Sequence, residues 1–189
     1  MQLEQINSKY RPQKLDSFIG QADIINFFKT NNWKEKSTTI LLSSSFPGAG
    51  KTTLARILAK EFTNYGFSSI IELDCGQNSS VESIRELLDS LKYATVSGTR
   101  AIILDECHLL SPAAAAALLK TLEEPPEKHL FILCTTHLKK VLPTIISRSF
   151  SFEFQPYTEE DFRKLYESPE FSLSKEFSEA QFKKASLEA

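Results

Sequence analysis

The sequence predicts an α/β fold, a central parallel five-stranded sheet flanked by helices, on three observations. Short runs of branched apolar residues alternate with segments of helical periodicity, the pattern of βα units whose strands are covered on both faces. A glycine-rich segment, FPGAGKTT, stands between one such run and an amphipathic stretch. Another run, AIIL, ends in the adjacent carboxylates Asp105 and Glu106. The 189 residues suffice for one good core, and 41% hydrophobic with 24% charged residues is the balance of a soluble globular domain.

Each element follows from its own residues. The strands are expected at Thr39 to Ser43, Ile70 to Asp74, Ala101 to Asp105, Phe131 to Thr135 and Phe150 to Phe154. Between the first two, Leu54, Ile57, Leu58 and Phe62 form one apolar stripe, and Gly66 is placed to end that helix in a left-handed cap. Ser79 and Glu82 read as a capping box ahead of Ile84, Leu87, Leu88 and Leu91. Ser111 with Pro112 puts a cap and a first-turn proline before Ala113 to Ala117, an alanine run that reads as a close-packed helix. There is no internal repeat and no long linker. Trp33 and the fourteen phenylalanines lack basic interleaving and read as core.

Charge and cysteine usage exclude several classes. A formal charge of -2 excludes a chain that is basic as a whole, so contact with nucleic-acid phosphates would need a local patch or basic partners. Met1 to Tyr10 lacks a basic-then-apolar signal pattern, and runs such as Leu130 to Cys134 are far too short to span a bilayer. A cytoplasmic, membrane-free location is the expectation. Cys75, Cys107 and Cys134 lie apart without a C-x-x-C pair, which predicts reduced, buried thiols and no zinc. His108 and His137 neighbour two strand ends but have no third ligand, and read as polar or packing residues.

The glycine-rich segment carries the chemistry. A strand before it and a helix after it are the setting in which consecutive backbone N–H groups wrap a phosphate. Gly48 and Gly50 allow close backbone approach, Lys51 can reach the β- and γ-phosphates, and Thr52 can offer its hydroxyl to Mg²⁺. Where the pattern G-x-x-x-x-G-K-[ST] has its first glycine this chain has Ser45, a small residue at the mouth of the loop. Pro47, Ala49 and Thr53 complete the candidate cradle. At the sheet end where ligands sit in open α/β folds, Asp105 can hold the Mg²⁺ shell and Glu106 can orient or deprotonate an attacking water. Together the two motifs predict nucleotide hydrolysis.

The blocks KYRPQKLDSFIGQ, FPGAGKTT, ILDECHLLS, LLKTLEEPPE and TIISRS together resemble the ATPase subunit of bacterial DNA polymerase III clamp loaders, the gamma/tau family of the AAA+ class of P-loop NTPases. The resemblance covers Lys9 to about Phe154. It implies a RecA-like nucleotide-binding domain over residues 1–154, with an adenine pocket formed by Tyr10, Arg11, Pro12, Ile19 and Gly20. It also implies a sensor role for Thr136, with Thr135 as the alternative, and an arginine finger, Arg148, acting in trans on a neighbouring subunit's nucleotide. ATP and Mg²⁺ are the implied cofactors. Other clamp-loader subunits, a sliding clamp and, through the assembly, primed DNA are the implied partners.

Departures from the family pattern qualify those expectations. No cysteine module lies between Glu61 and Ile70, so the family's zinc is not expected. The segments NSSVES and SPAAAAA carry no Lys or Arg, which argues against a DNA contact of the chain's own. PYTEEDFRKLYESPEF starts a helical lid, and residues 155–189 read as an incomplete lid segment with a polar, mobile tail. Two other functions therefore stand beside clamp loading: a non-loading fragment that binds nucleotide within a partner assembly, and a regulatory interaction domain with ATP as a structural ligand.

Overall fold

The computed structural model describes residues 11–35, 38–64, 69–91 and 98–167. Five strands, β1 (Thr38–Ser43), β2 (Ile70–Asp74), β3 (Arg100–Asp105), β4 (His129–Thr135) and β5 (Phe150–Glu153), form a single sheet in the order β2-β3-β4-β1-β5. Every pairing is parallel. The helices are α1 (Ala22–Thr30), α2 (Lys51–Phe62), α3 (Val81–Ser90), α4 (Pro112–Glu123), α5 (Pro143–Ile146) and α6 (Glu159–Glu167). The fold class is the one the apolar runs predict.

Strand order explains the run composition. β3, β4 and β1 lie inside the sheet and are buried along almost their whole length, whereas β2 and β5 lie at its edges and are nowhere fully buried. Leu41, Ile102, Leu104, Phe131 and Leu133 share one face and pack with Ile84 and Leu87 of α3 and Ala114, Leu118 and Leu122 of α4. Strand alternation turns Ile40, Leu42, Ile103 and Ile132 to the other face, and α2 packs against β1, β3 and β4. Fully burying one such side chain is worth roughly 1.5–3 kcal/mol, so the three central strands dominate the core.

By contacts, residues 31–154 form one compact unit. The described parts of the segments before Asn31 and after Phe154 form another. Within this second unit the Gln21 side chain clasps the Gln155 backbone twice, donating from Nε2 to the carbonyl at 2.7 Å and accepting the N–H on Oε1 at 2.9 Å. Gly20, at φ +78°, lies so close to Tyr157 that an added Cβ would come within 2.9 Å of the ring. Helix α6 starts with a reciprocal cap: Thr158 Oγ1 accepts from the Asp161 N–H at 3.2 Å, and Asp161 Oδ2 accepts from the Thr158 N–H at 2.9 Å.

Several boundaries differ from expectation: β1, β3 and β4 begin one, one and two residues early, at Thr38, Arg100 and His129. Helix α2 ends at Phe62, with Asn64 taking the left-handed conformation at φ 49°, because asparagine tolerates that region almost as glycine does. Gly66 lies outside the described residues, as does the tail beyond Glu167. The cap of α3 is Ser80, whose side chain accepts from the Ser83 N–H, while the Ser79 carbonyl accepts from the N–H of Ser111 at 3.0 Å. Strand β5 stops at Glu153, although the Phe154 N–H still bonds to the Ser43 carbonyl at 2.8 Å. Ser111 caps α4 as expected, accepting from the Ala114 N–H, with Pro112 in the first turn.

Leu104 is 0% exposed in the most buried layer. Leu104→Ala is therefore expected to cost about 2–5 kcal/mol in urea unfolding, through lost transfer energy and the cavity left behind. Ser111→Ala, which removes one cap bond, should cost only about 1 kcal/mol. Equal losses would show that the sheet core is less tightly packed than this layer requires.

Candidate functional site

The site forms where β1, β3 and β4 end. The chain leaves β1 at Ser43 and turns through Phe46, Pro47, Gly48, Ala49 and Gly50 into α2. Gly48 and Gly50 take φ of 77° and 91°, a region that favours glycine. Ser45 is not among the residues with positive φ, and its side chain is exposed. The first position of the pattern thus needs no glycine in this loop. Ala49 is fully buried, Pro47 is exposed and Thr53 is half-buried beside Thr52. No side chain caps the N-terminus of α2 and its first turn holds no acid, which leaves the amide dipoles uncompensated.

Lys51 is the unusual group. It is only 5% exposed, yet its Nζ hydrogen-bonds to the neutral Ser44 hydroxyl at 2.7 Å, and no carboxylate among the described residues is within salt-bridge reach. Ser44 Oγ in turn donates to the Phe46 carbonyl at 2.6 Å, so the hydroxyl is held in place to accept the ammonium.

The two carboxylates diverge. Asp105 Oδ2 accepts from Thr52 Oγ1 at 2.8 Å, and Oδ1 accepts from the Glu106 N–H at 3.1 Å. Burial holds the Asp105 carboxyl above the usual range, the Thr52 hydroxyl and the Glu106 N–H oppose that, and the Glu106 charge adds to it. A divalent cation beside it would reverse the balance. Thr52 and Asp105 offer hard oxygen donors, and no group of three or more His, Cys, Asp and Glu is gathered among the described residues. That donor set suits Mg²⁺, which keeps waters and substrate oxygens in its shell.

Glu106 takes φ 50°, ψ 45°, left-handed for a non-glycine residue, at a cost on the order of 1–2 kcal/mol. The turn swings its carboxylate away from Asp105 toward the end of β4. Oε2 accepts from Thr136 Oγ1 at 2.9 Å and from the Thr136 N–H at 3.3 Å. The two adjacent threonines take different partners: Thr136 contacts Glu106, whereas Thr135, fully buried, contacts His108 at 3.0 Å and accepts from the His137 N–H at 3.0 Å.

Arg148 stands elsewhere. Its guanidinium bridges Glu123 Oε1 at 2.6 Å and the Thr144 carbonyl at 2.9 Å, and among the described residues it has no contact with the loop or with Asp105 and Glu106. Arg11, Pro12, Ile19 and Gly20 are half-buried in the smaller unit, and Tyr10 lies outside the described residues. The three thiols are buried as expected, with Cys75 pushed up to about 12 chiefly by burial.

Sequence reasoning gives His108 no more than a polar or packing role and does not single out Glu123. His108 stands 3.2 Å from Glu106 Oε2, and its ring centroid is 4.6 Å from that of His137. The only signal was its place just after the acidic pair. Glu123 clamps Arg148 from a block that was recognisable only as a motif.

A family model described as DNA polymerase III, delta subunit, matches residues 68–158. The DNA polymerase III subunit tau of Bacillus subtilis is 37% identical over 79% of this chain and 30% of its own length. The gamma subunit of Buchnera aphidicola (subspecies Acyrthosiphon pisum) is 35% identical, with coverage of 89% and 52%. The chain thus spans about half or less of the length of these curated relatives. Among solved structures, Thermotoga maritima RuvB, a Holliday junction branch migration motor, superposes with a TM-score of 0.68 at 24% identity, covering 82% of this chain and 52% of that one. A DNA polymerase III gamma subunit-related protein of Thermotoga maritima gives 0.54 at 28% identity, covering 69% and 46%. The fold is that of the AAA+ P-loop NTPases.

Because Ser45 needs no glycine conformation, Ser45→Gly should shift the affinity for Mg²⁺-ATP by no more than about 0.5 kcal/mol in calorimetric titration. Gly50→Ala, which places a Cβ on a residue at φ 91°, should weaken it clearly. A tenfold gain from Ser45→Gly would show that the serine obstructs the loop.

Proposed function

Taking the chain as a relative of the DNA polymerase III gamma and tau subunits, we propose that it binds and hydrolyses ATP as a clamp-loader subunit, driving the placement of a ring-shaped sliding clamp on primed DNA. The observation that carries this reading is Lys51, a buried ammonium whose hydrogen-bond partner is a neutral hydroxyl. An unpaired buried cation is costly, and the anion that relieves it at the end of a glycine loop is a phosphate. Its neighbours supply the remaining roles.

Backbone amides from Pro47 to Thr53, omitting the proline nitrogen, cradle the phosphates, and Lys51 meets the β- and γ-phosphates. Thr52 and Asp105 hold Mg²⁺, which when bound neutralises charge on the transferring phosphoryl group. Glu106 takes the proton of a water whose oxygen attacks the γ-phosphorus as the bond to ADP breaks. Thr136 orients that glutamate. Arg11, Pro12, Ile19, Gly20 and Tyr10 receive the adenine, and residues 155–189 begin a lid.

Arg148 serves another chain's site. Its planar, permanently charged guanidinium suits the charge spread over the phosphoryl group. Within its own chain it is occupied by Glu123, a half-exposed pair worth about 0–1 kcal/mol, which a partner's phosphates can displace. Sister subunits of a cytoplasmic replication assembly are the proposed partners, and DNA is met through the assembly.

Hydrolysis and binding should separate by mutation. With partner subunits present, Glu106→Gln is expected to keep ATP bound while turnover falls about 10²–10⁴-fold, the range of a lost general base. Lys51→Ala should lose binding. Undiminished turnover in the glutamine variant would remove Glu106 from catalysis.

The trans assignment has its own test. Arg148→Ala should abolish partner-stimulated turnover, up to about 10³–10⁵-fold, with affinity unchanged. Mixing Arg148→Ala with Lys51→Ala subunits should restore part of it, since each supplies what the other lacks. Full stimulation of Arg148→Ala alone would defeat the assignment.

A further inference from the structure

The hydrolytic reading assigns Glu106 the proton but leaves open what holds its carboxylate still. Thr136 binds Oε2 through its hydroxyl and its N–H, two donors from one residue just past β4. A hold from one residue restrains the oxygen yet leaves the carboxylate free to swing about it. A second direction comes from the short 3-10 turn Cys107–Leu109, where His108 Nδ1 lies 3.2 Å from the same Oε2.

The tautomer of His108 follows from its partners. Nδ1 faces Glu106 Oε2 at 3.2 Å and Thr135 Oγ1 at 3.0 Å. An ionised carboxylate only accepts hydrogen bonds, so a lone pair on Nδ1 would face another lone pair. With a proton on Nδ1, the ring nitrogen hydrogen-bonds to Thr135 Oγ1 and turns its positive edge toward Oε2 across a 3.2 Å contact. Thr135 Oγ1 is fixed by the N–H of His137 at 3.0 Å, in a residue that is fully buried. The His108 side chain is itself 5% exposed. The imidazole is therefore locked by its surroundings, as a group that orients another must be.

We propose that His108 is a positioning residue for Glu106: its Nδ1–H, hydrogen-bonded to the buried Thr135 hydroxyl, faces Oε2 as a fixed electrostatic contact, restrains it together with Thr136 and leaves Oε1, which has no hydrogen bond among the described residues, as the oxygen that takes the proton from water. The inference rests on the hydrolytic reading and adds a donor that acts through Glu106 without touching the nucleotide. It also explains how adjacent threonines work in concert. Thr136 binds the carboxylate, and Thr135, on the opposite face of the strand end, binds the histidine that binds the carboxylate.

The test compares His108→Asn with His108→Leu, each with Mg²⁺-ATP and partner subunits. Asparagine can place an amide N–H near the Nδ1 position, whereas leucine fills the space without a donor. Turnover of the leucine variant should fall by about tenfold or more, within the range set by loss of the base itself. Affinity for ATP should stay within about twofold for both, and asparagine should keep most of the turnover. Equal turnover in wild type and His108→Leu, or equal impairment of both variants, overturns the proposal, the second result marking a packing role. Independently of activity, nitrogen chemical shifts of the full chain should show His108 as the Nδ1–H tautomer, and a predominant Nε2–H form overturns the proposal. A wild-type chain that hydrolyses no ATP with its partners overturns the hydrolytic reading itself, and the tautomer distinguishes that failure from this one.

Discussion

A lysine ammonium held 5% exposed against a serine hydroxyl is the constraint on which the loop depends. Burial of a positive charge without a carboxylate opposite is unfavourable for the isolated fold. The chain tolerates it because the surrounding sheet is so fully apolar that β1, β3 and β4 anchor the loop regardless. Stability spent at this point prepares the site for an anion, and an anion that binds only the folded state returns it as ligand-linked stabilisation.

Parallel topology then decides which groups can meet. All strands run one way, so their carboxyl ends share one rim, and residues far apart in sequence arrive there together. Thr52 reaches Asp105 across 53 positions, and Thr136 reaches Glu106 across 30. The left-handed backbone at Glu106 makes this division possible, because two adjacent acids in a regular strand would point to opposite faces of the sheet. Strain at one residue lets one acid face the hydroxyl of α2 and the other the end of β4.

Arg148 illustrates a different economy. A solvent-facing guanidinium without an acid beside it would be a loose cation. Glu123 and the Thr144 carbonyl hold its guanidinium in a partly exposed pair instead. Such a pair is weak enough to open at little cost yet orders a long side chain, so less conformational entropy is lost when the guanidinium takes another partner.

The alternation of apolar runs with helical stripes, the glycine loop and the paired acids were legible without coordinates, because each is local and follows from side-chain period and backbone freedom. The caps show the limit even for local signals: Ser79 and Ser80 are equally good capping residues, and it is the Ser80 side chain that accepts from the Ser83 N–H, while the Ser79 carbonyl is taken by the N–H of Ser111. Asn64 likewise takes the left-handed conformation expected of glycine, two residues before Gly66. What tertiary structure decided was every relation across strands. That Thr136 and not Thr135 meets Glu106, and that His108 stands against the same carboxylate, are consequences of where β3 and β4 end beside each other, a matter of sheet register that no residue's sequence neighbourhood encodes.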